Sequence, residues 1–376
     1  MKSVIVDSEI VTPLGLGLDP CWEGVCRQTC AFKPLDRFDL PSADHCVAST
    51  IDGLTYHQSP SLVEQMLAQI FQGKTFPSDI ALMLATTTGE VDLLEQTLLQ
   101  QSSGPNGSLN VLLHNVQEDL GLNGPASLIS SACTSSTAAI ALASNLIESG
   151  VQDAVLVVAC DAVTEFVFTG FSSLMALDPD GARPFDADRQ GLTVGEAAGY
   201  LLLMSEQRAR SEGRHCLGRV TGWGLSNDAN HMTGPCRRGD GLARAIRQAL
   251  RVADRSVDDI GMICAHGTGT RYNDTMEMLA FKQVFPQPRP VFSVKGILGH
   301  TMGAAGLLET LMTLKALAEK VVPASAGIAK LDEDMVDWVV TEQTSLQGGS
   351  LGLTTNSGFG GANGALILAV HEDDVC

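Results

Sequence analysis

The chain has 376 residues, 44% of them hydrophobic and 18% charged, enough for one large or two ordinary α/β domains around a substantial core. A formal net charge of −19 excludes a general nucleic-acid binder, which needs a basic surface against phosphate. No run approaches the ~20 apolar residues that cross a bilayer, and Asp7 and Glu9 stand where a secretory signal would be apolar, so a cytoplasmic protein is expected.

The ten cysteines are scattered, which predicts reduced thiols. Cys21, Cys26, Cys30, His45 and Cys46 lack the spacing of a zinc knuckle or ribbon, and no metal is expected. Two basic stretches, 27–37 and 236–251, are candidates for a local patch that an acidic partner would meet, or else are solvated helix faces.

In chain order, the apolar runs "DIALMLATTTG" (79–89), "DAVLVVACDA" (153–162), "GYLLLMSE" (199–206), "DDIGMICAHGTGT" (258–270) and "GALILAVHE" (364–372) read as buried strands of an α/β sheet. The stretch "QQSSGPNGS" (100–108) reads as an exposed loop. Each half of the chain runs from a strand and turn, through a helix of Gly, Ala and Ser, to a Gly-rich, hairpin-like closure. The simplest explanation is an internal duplication, 1–210 followed by 211–376, with its seam near 207–217. Equivalent loops would then face one another across a cleft.

Four stretches carry chemistry. Cys133, in "SSACTSS", sits where a small-residue helix begins, so the helix dipole and unpaired N–H groups are expected to favour its thiolate; a packed structural cysteine is the other reading. His266 follows an apolar strand in "AHGTGTRYNDTMEM", with Thr268 and Thr270 able to bind a polar ligand or merely to stabilise the turn. Lys295 and His300 lie five residues apart in "VFSVKGILGHTMGAAGLLE", and a lysine among apolar residues needs a counter-charge, for which Glu309 is placed. Gly358, Gly360 and Gly361 surround Phe359 before the last strand, in a loop able to offer N–H groups to an anion.

Together and in this order, "ACTSSTAAI", "HGTGTRYND", "KGILGHTMGAAGLLE" and "NSGFGGANGALIL" resemble the motifs of the β-ketoacyl synthases of the thiolase superfamily. "VTPLG" (11–15), "ARPFDADRQGLTVGEAAG" (182–199) and "NDANHMTGP" (227–235) match as well. The resemblance implies a five-layered αβαβα α/β fold. It implies that Cys133 is the nucleophile, that His266 and His300 hold a thioester enolate, and that Lys295 tunes them while paired with Glu309. Thr268 and Thr270 would hold the pantetheine arm, the Gly358–Phe359–Gly360 loop would supply an oxyanion contact and a gate, and Asp274 would support the site. It implies no metal and no cofactor beyond the phosphopantetheine of an acyl carrier protein, which would be a partner, and a homodimer or a heterodimer with a related synthase.

The sequence departs from the family pattern in being short between 40 and 80 and around "SLMALDPDGARPFD", in carrying Asp7 and Ser8 after the first strand, and in Ala197 within "GEAAG". These departures bear on the acyl pocket and on partner choice. A chain-length-factor-like subunit of a heterodimer is the alternative, against which the intact Cys133 speaks. A degradative thiolase would carry a second cysteine in the gating loop, and "NSGFGGANG" has none.

Overall fold

The computed structural model describes residues 2–39, 46–100 and 107–370. His45 of the cysteine-rich stretch and residues 101–106 of the expected loop lie outside them. Ten core strands follow in chain order: β1 (Ser3–Thr12), β2 (Ala81–Ala85), β3 (Ala126–Ile129), β4 (Ala154–Asp161), β5 (Ala197–Ser205), β6 (Gly218–Asn227), β7 (Ile260–Cys264), β8 (Val291–Phe292), β9 (Leu351–Gly358) and β10 (Ala362–Ala369).

The spatial order is β3-β2-β4-β5-β1 in the first half and β8-β7-β9-β10-β6 in the second. Adding five to each label of the first half gives the second. The pairing directions repeat too: β2 is parallel to β3 and β4, and β7 to β8 and β9, whereas β4–β5 and β9–β10 are antiparallel. The halves join where β1 runs antiparallel to β6, through Val4↔Arg219 and Ile5↔Gly218.

The helices that cover this sheet are α1 (Leu62–Phe71), α2 (Leu109–Asp119), α3 (Ser135–Glu148), α4 (Glu165–Ser173), α5 (Asp240–Ala253), α6 (Arg271–Val284) and α7 (Ala305–Glu319). Strand β4 shows why the sequence runs were continuously apolar. Its Val155 and Val157 face a central core shared with α3 and α7, whereas Leu156 and Val158 face an outer core with α1 and α2. On the far side, Leu242, Ile246 and Leu250 of α5 pack with Met276 and Phe281 of α6 against β7, β9 and β10. The layers are therefore αβαβα.

The central layer explains the small residues. A side chain at Gly306 on α7 would meet Thr137 Oγ1 of α3 at 2.0 Å, so glycine lets the two helices touch. Helix α1 starts as a capping box: Ser61 accepts the Glu64 N–H, and the Glu64 carboxylate accepts the Ser61 N–H.

Two expectations need correction. The closure of the first half is not a hairpin, because β5 pairs with β4 across an intervening helix, whereas β9 and β10 do form one around Phe359. The basic stretch 27–37 loses one of its cations to the interior. Arg37 is spent on the fold in a buried bidentate pair with Glu196, whereas Lys33 and Arg27 pair with Asp52 and Glu23 at the surface.

Candidate active site

Cys133 stands between β3 and α3, on an elbow in which Ala132 takes a φ of +47°. Hydroxyls staple this elbow. Ser135 Oγ donates to Ala132 O at 2.6 Å and accepts from Ser131 N at 2.8 Å, and Thr134 Oγ1 donates to Ser131 O at 2.7 Å. The Ser/Thr spacing around the cysteine thus has a local mechanical cause. Cys133 is 7% exposed. The backbone N–H groups of Phe359, from the β9–β10 loop, and of Cys133 itself favour negative charge on the sulfur.

The second half supplies the histidines. His300 donates its backbone N–H to Thr193 O at 2.7 Å and accepts from Gly195 N at 3.0 Å, which anchors it against the first half. Its Nε2 lies 2.9 Å from Cys133 Sγ. Its Nδ1 accepts the Met302 N–H at 3.3 Å. Since a backbone N–H can only donate, the ring proton sits on Nε2 and faces the sulfur.

His266 is fixed in the same way. Lys295 Nζ and Asn356 Nδ2 both lie 3.2 Å from His266 Nδ1, and both are donors, so His266 also carries its proton on Nε2. Asn356 cannot be turned round, because its amide donates to Glu309 Oε2 at 2.7 Å and its oxygen accepts from Thr137 Oγ1 at 2.5 Å. Lys295 donates to His266 O at 2.6 Å and forms a buried pair with Glu309, as its apolar surroundings require.

Burial, reinforced by the Lys295 charge, holds both imidazoles well below the ordinary histidine range, so they are neutral donors. The thiol departs from the sequence expectation. Burial pushes Cys133 up to about 12; the Lys295 charge and the Phe359 N–H act the other way without overcoming it. The helix begins at Ser135, two residues beyond the sulfur, and an enclosed anion costs more than the dipole returns. At rest the group is a thiol.

Cys133, His266 and His300 open into a cleft of about 820 Å³, lined also by Phe171, Thr268, Thr270 and Phe359. Phe171 lies against the Phe359 ring at 5.7 Å and the His300 ring at 6.3 Å. Thr268 Oγ1 and Thr270 Oγ1 are 3.0 Å apart. Sulfur and one nitrogen of each histidine lie within 4.8 Å of one another, a spacing open to a soft metal. The two Nε2–H groups and the nearby ammonium instead favour an anionic or carbonyl oxygen. Arg237 and Arg238, from the second basic stretch, line the mouth of the cleft.

Asp274 lies behind this surface rather than in it: it accepts the Thr268, Gly269 and Phe185 N–H groups and pairs with Arg189 at 3.4 Å. Three residues escaped the sequence reading. Glu277 accepts the His266 and Gly267 N–H groups, both at 2.7 Å; burial and the Asp274 charge push it up to about 7. Asn356 lay within a recognised motif but had no assigned task. Asp161 ends a strand in a sheet whose strand ends carry the site, which was the available signal.

Family models for the β-ketoacyl synthase N-terminal and C-terminal domains match residues 68–209 and 217–329. The chain belongs to the β-ketoacyl synthase family. The 3-oxoacyl-[acyl-carrier-protein] synthase 2 of Vibrio cholerae is 27% identical over 98% of each chain. The tetracenomycin polyketide synthase ketoacyl synthase alpha subunit of Streptomyces glaucescens is 35% identical over 69% of this chain and 63% of its own. Among solved structures, the ishigamide ketosynthase/chain length factor matches with a TM-score of 0.89 at 28% identity over 98% of this chain and 99% of that one. A ketosynthase in complex with its chain length factor from Xenorhabdus doucetiae gives 0.85 at 28% identity over 98% of both chains. This β-ketoacyl synthase has the thiolase fold, and no helix among its described residues is long and apolar enough to cross a membrane.

Proposed function

We propose that the chain catalyses decarboxylative Claisen condensation, joining an acyl group on Cys133 to a malonyl thioester and extending a fatty-acid-like or polyketide-like chain by two carbons. The observation that carries the reading is the 2.9 Å contact of His300 Nε2 with Cys133 Sγ, with His266 and His300 opening into the same cleft. Cys133 sulfur attacks the acyl thioester carbonyl, the acyl C–S bond to the pantetheine breaks, and the thiol proton leaves with the pantetheine sulfur. The malonyl thioester then enters.

Its carboxylate leaves as carbon dioxide, and the electron pair passes into an enolate whose oxygen is held by His266 and His300 Nε2–H. The enolate carbon attacks the acyl-Cys133 carbonyl. The oxyanion rests on the Cys133 and Phe359 N–H groups, and collapse expels Cys133 sulfur, which takes a proton from water. Lys295, balanced by Glu309, fixes His266 in its donating tautomer. Thr268 and Thr270 hold the pantetheine arm, while Phe359, flanked by Gly358 and Gly360, gates the sulfur.

The carrier of both substrates is an acyl carrier protein, and no cofactor beyond its phosphopantetheine, nor any metal, takes part. The protein is cytoplasmic and pairs with a second synthase chain, its own copy or a relative; free cysteines throughout the described residues agree with a reducing compartment. Residues 1–210 and 211–376 are two copies of one ancestral unit, supported by the repeated strand order. An intact nucleophile beside His300 counts against the chain-length-factor role.

The test follows mass on Cys133 during incubation with acyl-carrier protein, alone and with a co-expressed partner, and then on the product after malonyl-carrier protein is added. A stable acyl adduct that is lost in Cys133→Ser is expected. Absence of any adduct in both arms overturns the catalytic reading.

A further inference from the structure

Asp161 is the last residue of β4 and is wholly buried. Its two carboxylate oxygens take six donors. Thr86 Oγ1 lies at 2.8 Å, Thr87 donates from N at 2.9 Å and from Oγ1 at 2.8 Å, and Thr88 donates from N at 3.1 Å and from Oγ1 at 3.2 Å. The sixth is Gly303 N at 2.7 Å. Five donors come from the turn after β2 and one from the other half of the molecule. No ion pair joins Asp161 to a cation among the described residues. Burial raises Asp161 above the ordinary carboxylate value, and the donors alone oppose that, each favouring the ionised form.

Gly303 belongs to the turn that presents His300. The preceding amide, Met302 N–H, is the one that donates to His300 Nδ1, and Met302 takes a φ of +51° to do so. A side chain at position 303 would stand 2.6 Å from Asp161 Oδ2, so glycine is needed for the amide to reach the carboxylate. Two consecutive amides are thereby fixed, one by the imidazole and the other by Asp161. Releasing the second leaves the strained Met302 conformation with less to hold it.

We propose that Asp161 is a positioning residue: by clamping the Gly303 amide to the Thr86–Thr88 turn it holds the Met302 N–H on His300 Nδ1, and so fixes the His300 Nε2–H toward Cys133 and the substrate oxygen. The inference rests on the catalytic reading above and assigns a task to a group outside the four sequence motifs. The carboxylate also bears on the nucleophile directly, since its charge is among the causes that raise Cys133.

The test uses the full chain with Asp161→Asn, which keeps the shape but turns an NH₂ group toward donors. Two readouts are taken: steady-state decarboxylation of malonyl-carrier protein, and the ¹⁵N signals of His300, assigned by their loss in His300→Gln. A fall in kcat of at least thirtyfold with KM within threefold is expected, together with loss of the fixed Nε2–H tautomer. A fall in rate with His300 signals unchanged overturns the proposal, as does a shift in the signals with the rate intact, or no change in either.

Should Asp161→Asn not fold, Thr87→Val removes one donor from Oδ2 and is expected to move both readouts in the same directions by three- to tenfold in rate. Its leaving either one untouched overturns the proposal equally. Failure of the catalytic reading would look different, because then the wild-type chain itself would form no adduct on Cys133.

Discussion

At the scale of single residues, the site is a set of charges and protons whose placement is decided by burial. Lys295 and Glu309 are each about 1% exposed, so either one left alone would be a bare charge in the interior. Breaking such a pair by removing one partner costs about 3–5 kcal/mol, whereas replacing both with apolar groups is often close to neutral. Lys295→Met is therefore expected to lower the melting temperature by several degrees. Lys295→Met combined with Glu309→Leu should recover most of that loss while condensation stays absent, because the site has lost its ammonium and His266 Nδ1 one of its two donors. Differential scanning calorimetry and condensation assays on the three proteins check this, and equal melting temperatures for the single and double variants would count against it. The Lys–Glu pairing was legible in the sequence because an embedded lysine demands an anion. The state of the Cys133 thiol was not, because acidity here depends on enclosure by loops from both halves, which no local stretch displays.

At the scale of elements, β2, β4, β5, β7 and β10 were visible as apolar runs, and the helices after Cys133 and His300 as runs of small residues. Their ends were less so: the run 258–270 is strand only over Ile260–Cys264, and the His266 loop that follows is shaped by Glu277 and Asp274 on α6. Asp161 and Asn356 went unassigned because their partners lie 73 to 142 and 47 to 219 residues away. Helix α5 illustrates the same limit from outside. Its stretch was singled out for its charge, yet only the fold brings its approach segment, with exposed Arg237 and Arg238, to the mouth of the cleft. Arg237 lies over the Tyr272 ring at 5.4 Å, while Arg238 pairs with Asp240. On a chain of net charge −19, a cationic rim is where an acidic carrier protein would be steered. Reversing both charges, Arg237→Glu with Arg238→Glu, should raise KM for carrier-protein substrates about tenfold at low salt. The change should shrink as salt shortens the Debye length, and KM for a small thioester should stay the same. An equal rise for both substrates would place the effect in the cleft rather than on the rim.

At the scale of the whole molecule, the site exists only because two similar halves meet, one bringing the thiol and the other the imidazoles, and this juxtaposition makes acid an adversary of the fold. His266 and His300 are buried neutral, held well below the ordinary value of 6.5, whereas both would bind protons in the unfolded chain. For such groups the unfolded state holds more protons below pH 6.5, so their contribution to stability is complete above that value and is lost as the pH falls. The limiting slope is about 1.4 kcal/mol per pH unit for each histidine. Glu277 acts oppositely: raised to about 7, it weakens the fold as the pH climbs from its ordinary 4.5 toward 7, so the total profile mixes the two signs. Comparing variants removes that background. His266→Gln keeps a donor near Nε2 and cannot titrate. Between pH 6.5 and 5 its melting temperature should therefore fall less steeply than that of the wild type, and the variant carrying both His266→Gln and His300→Gln less steeply again. Parallel curves for all three proteins would mean that the imidazoles take up protons as readily in the folded chain as in the unfolded one, so that they would be neutral donors around a substrate oxygen only above the ordinary histidine range.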